Sequence, residues 1–141
     1  MRGGVQVASI ITLASGRPHT ILAGVDLNGD GNGGAFPPDR ARRNPLDEAS
    51  SVGRNSGTMP SQAVVDLRVS RRFPLRGAVT LDGIFEVFNA LTRTNFIESN
   101  NLSPAFIWGT GAYPDAPLPG FGRFTQAAPP RQIQLAVKLA F

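Results

Sequence analysis

Four stretches of this chain alternate apolar and polar side chains with a period of two, and each keeps that period for about 10 to 12 residues. They are VQVASIITLA from Val5, VVDLRVSRRF from Val64, VTLDGIFEVFNA from Val79 and RQIQLAVKLAF from Arg131. A period of two places alternate side chains on opposite sides of an extended chain, so these stretches predict strands and exclude amphipathic helices. The expected strands cover about residues 5–14, 62–73, 78–90 and 130–141. Soluble strands commonly run about 5 or 6 residues, so all four are long. Their connections alternate as well: a Gly-, Pro-, Asn- and Asp-rich stretch from Ser15 to about Ser61, then the tight PLRG turn from Pro74 to Gly77, then a second irregular stretch from about Thr92 to Pro130. The expected fold is all-β, with four antiparallel strands and two long loops.

Parity along the sequence shows which residues share a side. In the last strand Ile133, Leu135, Val137, Leu139 and Phe141 fall opposite Gln132, Gln134, Ala136, Lys138 and Ala140. In the third, Val79, Leu81, Gly83, Phe85 and Val87 oppose Thr80, Asp82 and Glu86, with Ile84 and Phe88 intruding on the polar side. In the second, Val65, Leu67, Val69 and Phe73 oppose Asp66, Arg68, Ser70 and Arg72; Arg71 interrupts the apolar side. The first is weaker, with Ser9 on the apolar side and Ile10 opposite. Arg71 lies three residues before Pro74, and near a strand end such a side chain snorkels to water at about 0–1 kcal/mol, against about 2–4 at a bilayer midplane.

Two settings produce strands of this kind: a sheet packed on a soluble core, or a membrane barrel whose apolar face meets lipid and whose polar face meets a wet lumen. Periodicity does not separate them. Spanning length, the alternation of long and short connections, and a polar face carrying Asp66, Arg68, Arg72, Asp82, Glu86 and Lys138, of both signs, favour the barrel. The alternative is a soluble β-sheet binding module using Gly-rich ligand or calcium loops.

Composition restricts the chemistry more than the fold. The 141 residues include 16 Gly and 12 Pro, and 17% are charged where about 25% is typical, which suits loops and turns. Net charge is +4 and every basic residue except Lys138 is Arg; the Arg residues are scattered, so a nucleic-acid surface is not expected. There is no Cys, which removes disulfides and thiolate chemistry, and no run approaches the roughly 20 apolar residues of a spanning helix. Met1 is followed by RGGVQV, which lacks the pattern of a signal peptide, so a natural start at Met1 would place the chain in the cytoplasm.

The stretches GRNSGTMPSQAVVDLRVSRRF from Gly53, FEVFNALTRTNF from Phe85 and FGRFTQAAPPRQIQLAVKLAF from Phe121 resemble the C-terminal end of TonB-dependent outer-membrane receptors. The similarity is to the Oar-like group, whose members carry a carboxypeptidase-regulatory-like domain ahead of the plug; SGRPHT and DLNGDGNGG resemble that group too. The resemblance implies the last four strands of a barrel of about 22, in the outer membrane of a Gram-negative bacterium. It implies a terminal strand read by the barrel-assembly machinery, matched here by Phe141, Leu139, Val137 and Leu135. It also implies a signal peptide, a TonB box and a plug, none of which is found in these residues, so the chain is expected to be a fragment of a longer receptor, not competent alone. Expected partners are outer-membrane lipid, the assembly machinery, the remaining strands and plug, TonB through the plug, and an unknown external ligand.

Few residues suggest other chemistry. Asp26, Asn28 and Asp30, followed by Gly31, match the opening of a calcium-binding EF-hand loop, although Pro37 stands where that loop needs a bidentate Glu. His19 is the only His, and no arrangement for catalysis is apparent; neither enzyme activity nor a cofactor is expected. Trp108, Tyr113, Phe121 and Phe124 are expected to anchor at the membrane interface in preference to holding a ligand.

Overall fold

The structure is a computed structural model that describes residues 4–31, 39–98 and 103–141. Its elements are β1 (Val5–Ala14), β2 (Pro18–His19), β3 (Gly57–Thr58), β4 (Gln62–Pro74), β5 (Thr80–Phe88) and β6 (Gln132–Ala140), with single 3-10 turns at Glu48–Ser50 and Pro104–Phe106. They fall into two compact units. One gathers Met1–Ser15, Ser61–Asn95 and Ala128–Phe141; the other gathers Gly16–Pro60 and Phe96–Ala127.

The first unit is a four-stranded antiparallel sheet in the order β1-β4-β5-β6. Register keeps the two kinds of side chain apart. One row runs Val7, Val69, Phe85, Leu135, and its neighbour on the other face runs Ala8, Arg68, Glu86, Gln134. A slip by one residue would exchange the two faces, so the alternation read from the sequence excludes every odd shift of this pairing. The turn between β4 and β5 closes with Leu75 N–H donating to the Val79 carbonyl at 2.9 Å and Gly77 at φ +70, a conformation that glycine adopts without the Cβ clash of other residues. At the other end β5 stops at Phe88, sooner than expected, because Asn89 turns into the left-handed region at φ 49. Asparagine tolerates that region better than most residues.

Beyond Phe88 the chain stays attached to β4 through side-chain and backbone bonds. Asp66 Oδ1 accepts the Asn89 N–H at 2.9 Å, and Ala90 N–H donates to the Val65 carbonyl at 2.8 Å. The Asn95 amide then takes the place of a strand partner, accepting from Ala63 N–H at 2.8 Å and donating to the Ala63 carbonyl at 3.1 Å. The buried backbone groups of Ala63 on the side that β5 does not reach are thereby satisfied.

The second unit is built from the two long connections, and it has an interior. Ile21, Ala41, Val52 and Trp108 form one buried cluster, packed by Tyr113 and Phe121; Met59, Ala105 and Phe106 form another, packed by Phe96 and Phe124. Short backbone pairings hold the segments: Ala41 N–H to the Ile21 carbonyl, Val52 N–H to Ala41, Leu22 N–H to Phe106 and Trp108 N–H to Leu22. His19 pairs with Gly57 across β2 and β3, and its ring covers that glycine so closely that a Cβ there would overlap it.

Candidate functional site

The polar face of the sheet is an ordered array of opposite charges. Arg72 donates to Asp82 through two bonds, Nε to Oδ1 at 2.7 Å and Nη2 to Oδ2 at 2.8 Å, and Lys138 stands across from Asp82 in register. Two rows on along the same face, past Ser70 and Ile84, Arg68 Nη1 meets Glu86 Oε1 at 3.2 Å. Of the six residues expected to line a lumen, five make or flank these pairs. Asp66 shares their face and accepts the Asn89 N–H there at 2.9 Å. Gln6, Arg68, Ser70, Arg72, Thr80 and Asp82 border a hollow of about 790 Å³ on this side. Exposed ion pairs add little stability; a wall of them makes a surface that water can wet.

The other face is apolar and uncovered. Leu135 is 77% exposed, Val137 71%, Val7 70% and Leu13 74%, and Ile133, Leu139, Val5 and Ile11 are all more than half exposed. Soluble monomers rarely leave a contiguous apolar patch of more than a few hundred Å² open. A sheet with this row structure, one side wet and the other greasy, over strands of 9 to 13 residues, is what a lipid-facing wall requires. The family model of the outer membrane beta barrel domain matches residues 1–134. The chain belongs to that family. Comparisons with curated proteins and with solved structures returned no match. As an outer membrane beta barrel domain it resides in the cell outer membrane, and its open four-stranded sheet is part of a barrel wall that this chain does not close. The apolar residues of the expected assembly signal, Leu135, Val137 and Leu139, lie on the uncovered face of the barrel domain's edge strand, and Phe141 comes just after it, 97% exposed.

The connections of the barrel domain differ from expectation. Trp108 does not reach an interface: it is 4% exposed, with Tyr113 and Phe121 edge-on to it at centroid distances of 4.8 and 4.9 Å. Phe124 packs with Phe96 and Phe106. These aromatics are the unit's own core, because Gly- and Pro-rich chain folded back on itself needs large side chains to fill the space between turns. In the DLNGDGNGG loop Asp26 accepts the backbone N–H groups of Asn28, Gly29 and Gly31 at 3.2, 2.6 and 2.8 Å, and Asp39 accepts those of Leu27 and Asn28. Asn28 and Asp30 bond to each other at 3.1 and 3.2 Å. The three expected calcium ligands are thus brought together with their oxygens engaged by the loop itself; Pro37 lies outside the described residues. Among the described residues no group of three His, Asp or Glu side chains is arranged for a metal.

Glu98 carries no signal in the sequence that would single it out beyond being a lone acid amid the polar TNFIESNN. It is 2% exposed, and its carboxylate accepts from four donors among the described residues: Ser103 Oγ at 2.6 Å, Gln126 N–H at 3.0 Å, Thr125 N–H at 3.1 Å and Thr125 Oγ1 at 3.4 Å. Burial alone pushes this carboxyl up, yet the bonds from Ser103, Gln126 and Thr125 outweigh it and hold it below the ordinary carboxylate range. A folded-state pKa below the unfolded value of about 4.3 means stabilisation present above that pH and lost as pH falls through the lower value. Asp26, held down chiefly by the Gly31 N–H, adds to the same acid loss. Glu98→Gln keeps one acceptor and turns an NH₂ toward donors, so the expected cost is about 1–3 kcal/mol at neutral pH, with a flatter acid profile. Hydrogen exchange at the Gln126 amide between pH 3 and pH 7 checks both.

Proposed function

We propose that this barrel domain is the C-terminal wall of a TonB-dependent receptor of the Oar-like type, which binds an external ligand and imports it with energy supplied through TonB. The observation that carries the reading is the second unit. Outer-membrane barrels carry short turns at one end of their strands and longer loops at the other. Here the two connections at one end of the sheet fold into a body with two aromatic-rich cores, which gives a receptor a rigid surface for a bulky ligand. The motifs around Gly53, Phe85 and Phe121, similar to those of TonB-dependent receptors, support the same assignment.

On this reading the whole chain is one barrel segment. Arg68, Arg72, Asp82, Glu86 and Lys138 face the lumen, where the plug of the complete receptor docks. Phe141, Leu139, Val137 and Leu135 present the terminal strand to the assembly machinery, and the first strand of the barrel closes on β6 because an unpaired edge is not tolerated in hydrocarbon. Neither catalysis nor a cofactor is part of this role, and nucleic acid is not a partner. Formaldehyde cross-linking of the complete gene product in its native envelope tests the proposal. The expected result is an adduct with TonB. A protein found in the outer-membrane fraction without any TonB adduct overturns the receptor assignment and leaves the barrel standing.

A further inference from the structure

The apolar face of the sheet carries one cation. Arg71 stands in the row Val5, Arg71, Gly83, Val137, where every other side chain is aliphatic or absent. All acidic residues of the four strands, Asp66, Asp82 and Glu86, belong to the opposite face by parity. Arg68 and Arg72 have carboxylate partners; the Arg71 guanidinium instead sits over the Phe73 ring, 5.0 Å from its centre. That ring leans across the gap left by Gly83, with 3.7 Å between it and the place a Cβ would occupy. Gly83 therefore makes room for Phe73, and Phe73 holds a planar cation on the lipid side of the wall.

We propose that Arg71 binds the phosphate of a phospholipid headgroup in the leaflet next to the β4–β5 turn. Three residues separate Arg71 from Pro74, about 10 Å along a strand at about 3.3 Å each, or roughly 7 Å of depth at a tilt near 45°. An arginine side chain spans that depth, so the guanidinium reaches the headgroup layer while its stem stays among acyl chains. Arg76, exposed in the turn, puts a second cation at the same end. A guanidinium fork matches the oxygens of a phosphate, and an anion from outside is what a face without carboxylates calls for.

The inference rests on the barrel, not on the receptor assignment. The complete gene product is folded into phosphatidylglycerol vesicles and into dodecyl maltoside micelles, which hold no phosphate, and Arg71→Leu is compared with wild type in each. The expected result is a loss of about five- to tenfold in the folding equilibrium in vesicles, none in micelles, and an intermediate loss for Arg71→Lys. An equal loss in both media assigns Arg71 to its stack on Phe73 alone. No loss, or a gain, in vesicles shows a charge merely tolerated. Wild type stabilised over Arg71→Leu by inorganic phosphate added to the micelles points to a soluble anion. Each of these three overturns the lipid assignment.

Discussion

Truncation of Trp108 to Ala is expected to unfold the unit made by the two long connections while the four-stranded sheet stays paired. Trp108 is the chain's only tryptophan, and it belongs to the buried cluster of Ile21, Ala41 and Val52. Its backbone joins two segments, N–H to the Leu22 carbonyl at 2.7 Å and carbonyl to the Leu118 N–H at 2.8 Å, and its indole N–H donates to the Gly111 carbonyl at 3.2 Å. Removing the ring leaves Tyr113 and Phe121 without the surface they meet edge-on, and opens a void beside Ile21, Ala41 and Val52. Large-to-small changes of this kind cost about 3–5 kcal/mol, a large fraction of what holds a small body together. Hydrogen exchange reads the outcome by position. The Ala41 and Val52 amides, bonded to Ile21 and Ala41, should lose protection, and the Val69 and Phe85 amides should keep theirs. Trp108→Phe retains a ring and should fall between. Unchanged protection at Ala41 and Val52 in the alanine variant would mean that the cluster does not hold the unit.

That cluster also marks where the sequence stops being informative. The strands and their faces were readable because a regular element repeats its signal: from Gln132 to Ala140 every large apolar side chain of β6 falls on one side, and a period of two means an extended strand. Even the irregularities carry over, with Ile10 and Phe88 exposed among polar neighbours on the wet face. Ile21, Val52, Met59, Phe106 and Trp108 share no period. They meet through single backbone pairings between segments far apart in sequence, and a Gly- and Pro-rich composition looks the same whether a connection is solvated or folded. The polar residues that matter most were hidden for a related reason. Asn89, Asn95 and Glu98 work by satisfying particular backbone groups, and nothing in the identity of an Asn or a Glu names its partner. Asp66 is the converse: its parity placed it on the correct face, but its engagement with Asn89 depends on where β5 ends, which the sequence blurred by two residues because Asn89 and Ala90 still look extended.

Two arginines introduced at neighbouring positions of β6 should separate the faces by more than any difference in strand propensity can account for. Leu135 lies in the row of Val7, Val69 and Phe85 and is 77% exposed; Gln134 lies one residue before it, across from Glu86. Both are exposed, near the middle of the strand, and accept the same side chain. In water the two substitutions would differ by a few tenths of a kcal/mol. In a bilayer Leu135→Arg puts a guanidinium into hydrocarbon at mid-depth, where it costs about 2–4 kcal/mol, while Gln134→Arg joins the existing array beside Glu86 and costs about nothing. Denaturant unfolding of the complete protein from vesicles should therefore show a loss of roughly thirtyfold or more in the folding equilibrium for the first and little change for the second. The reverse order would place lipid on the charged side of the sheet. Equal small effects would mean that neither face meets hydrocarbon, and the exposed rows of Val, Ile and Leu would then need a protein layer to cover them.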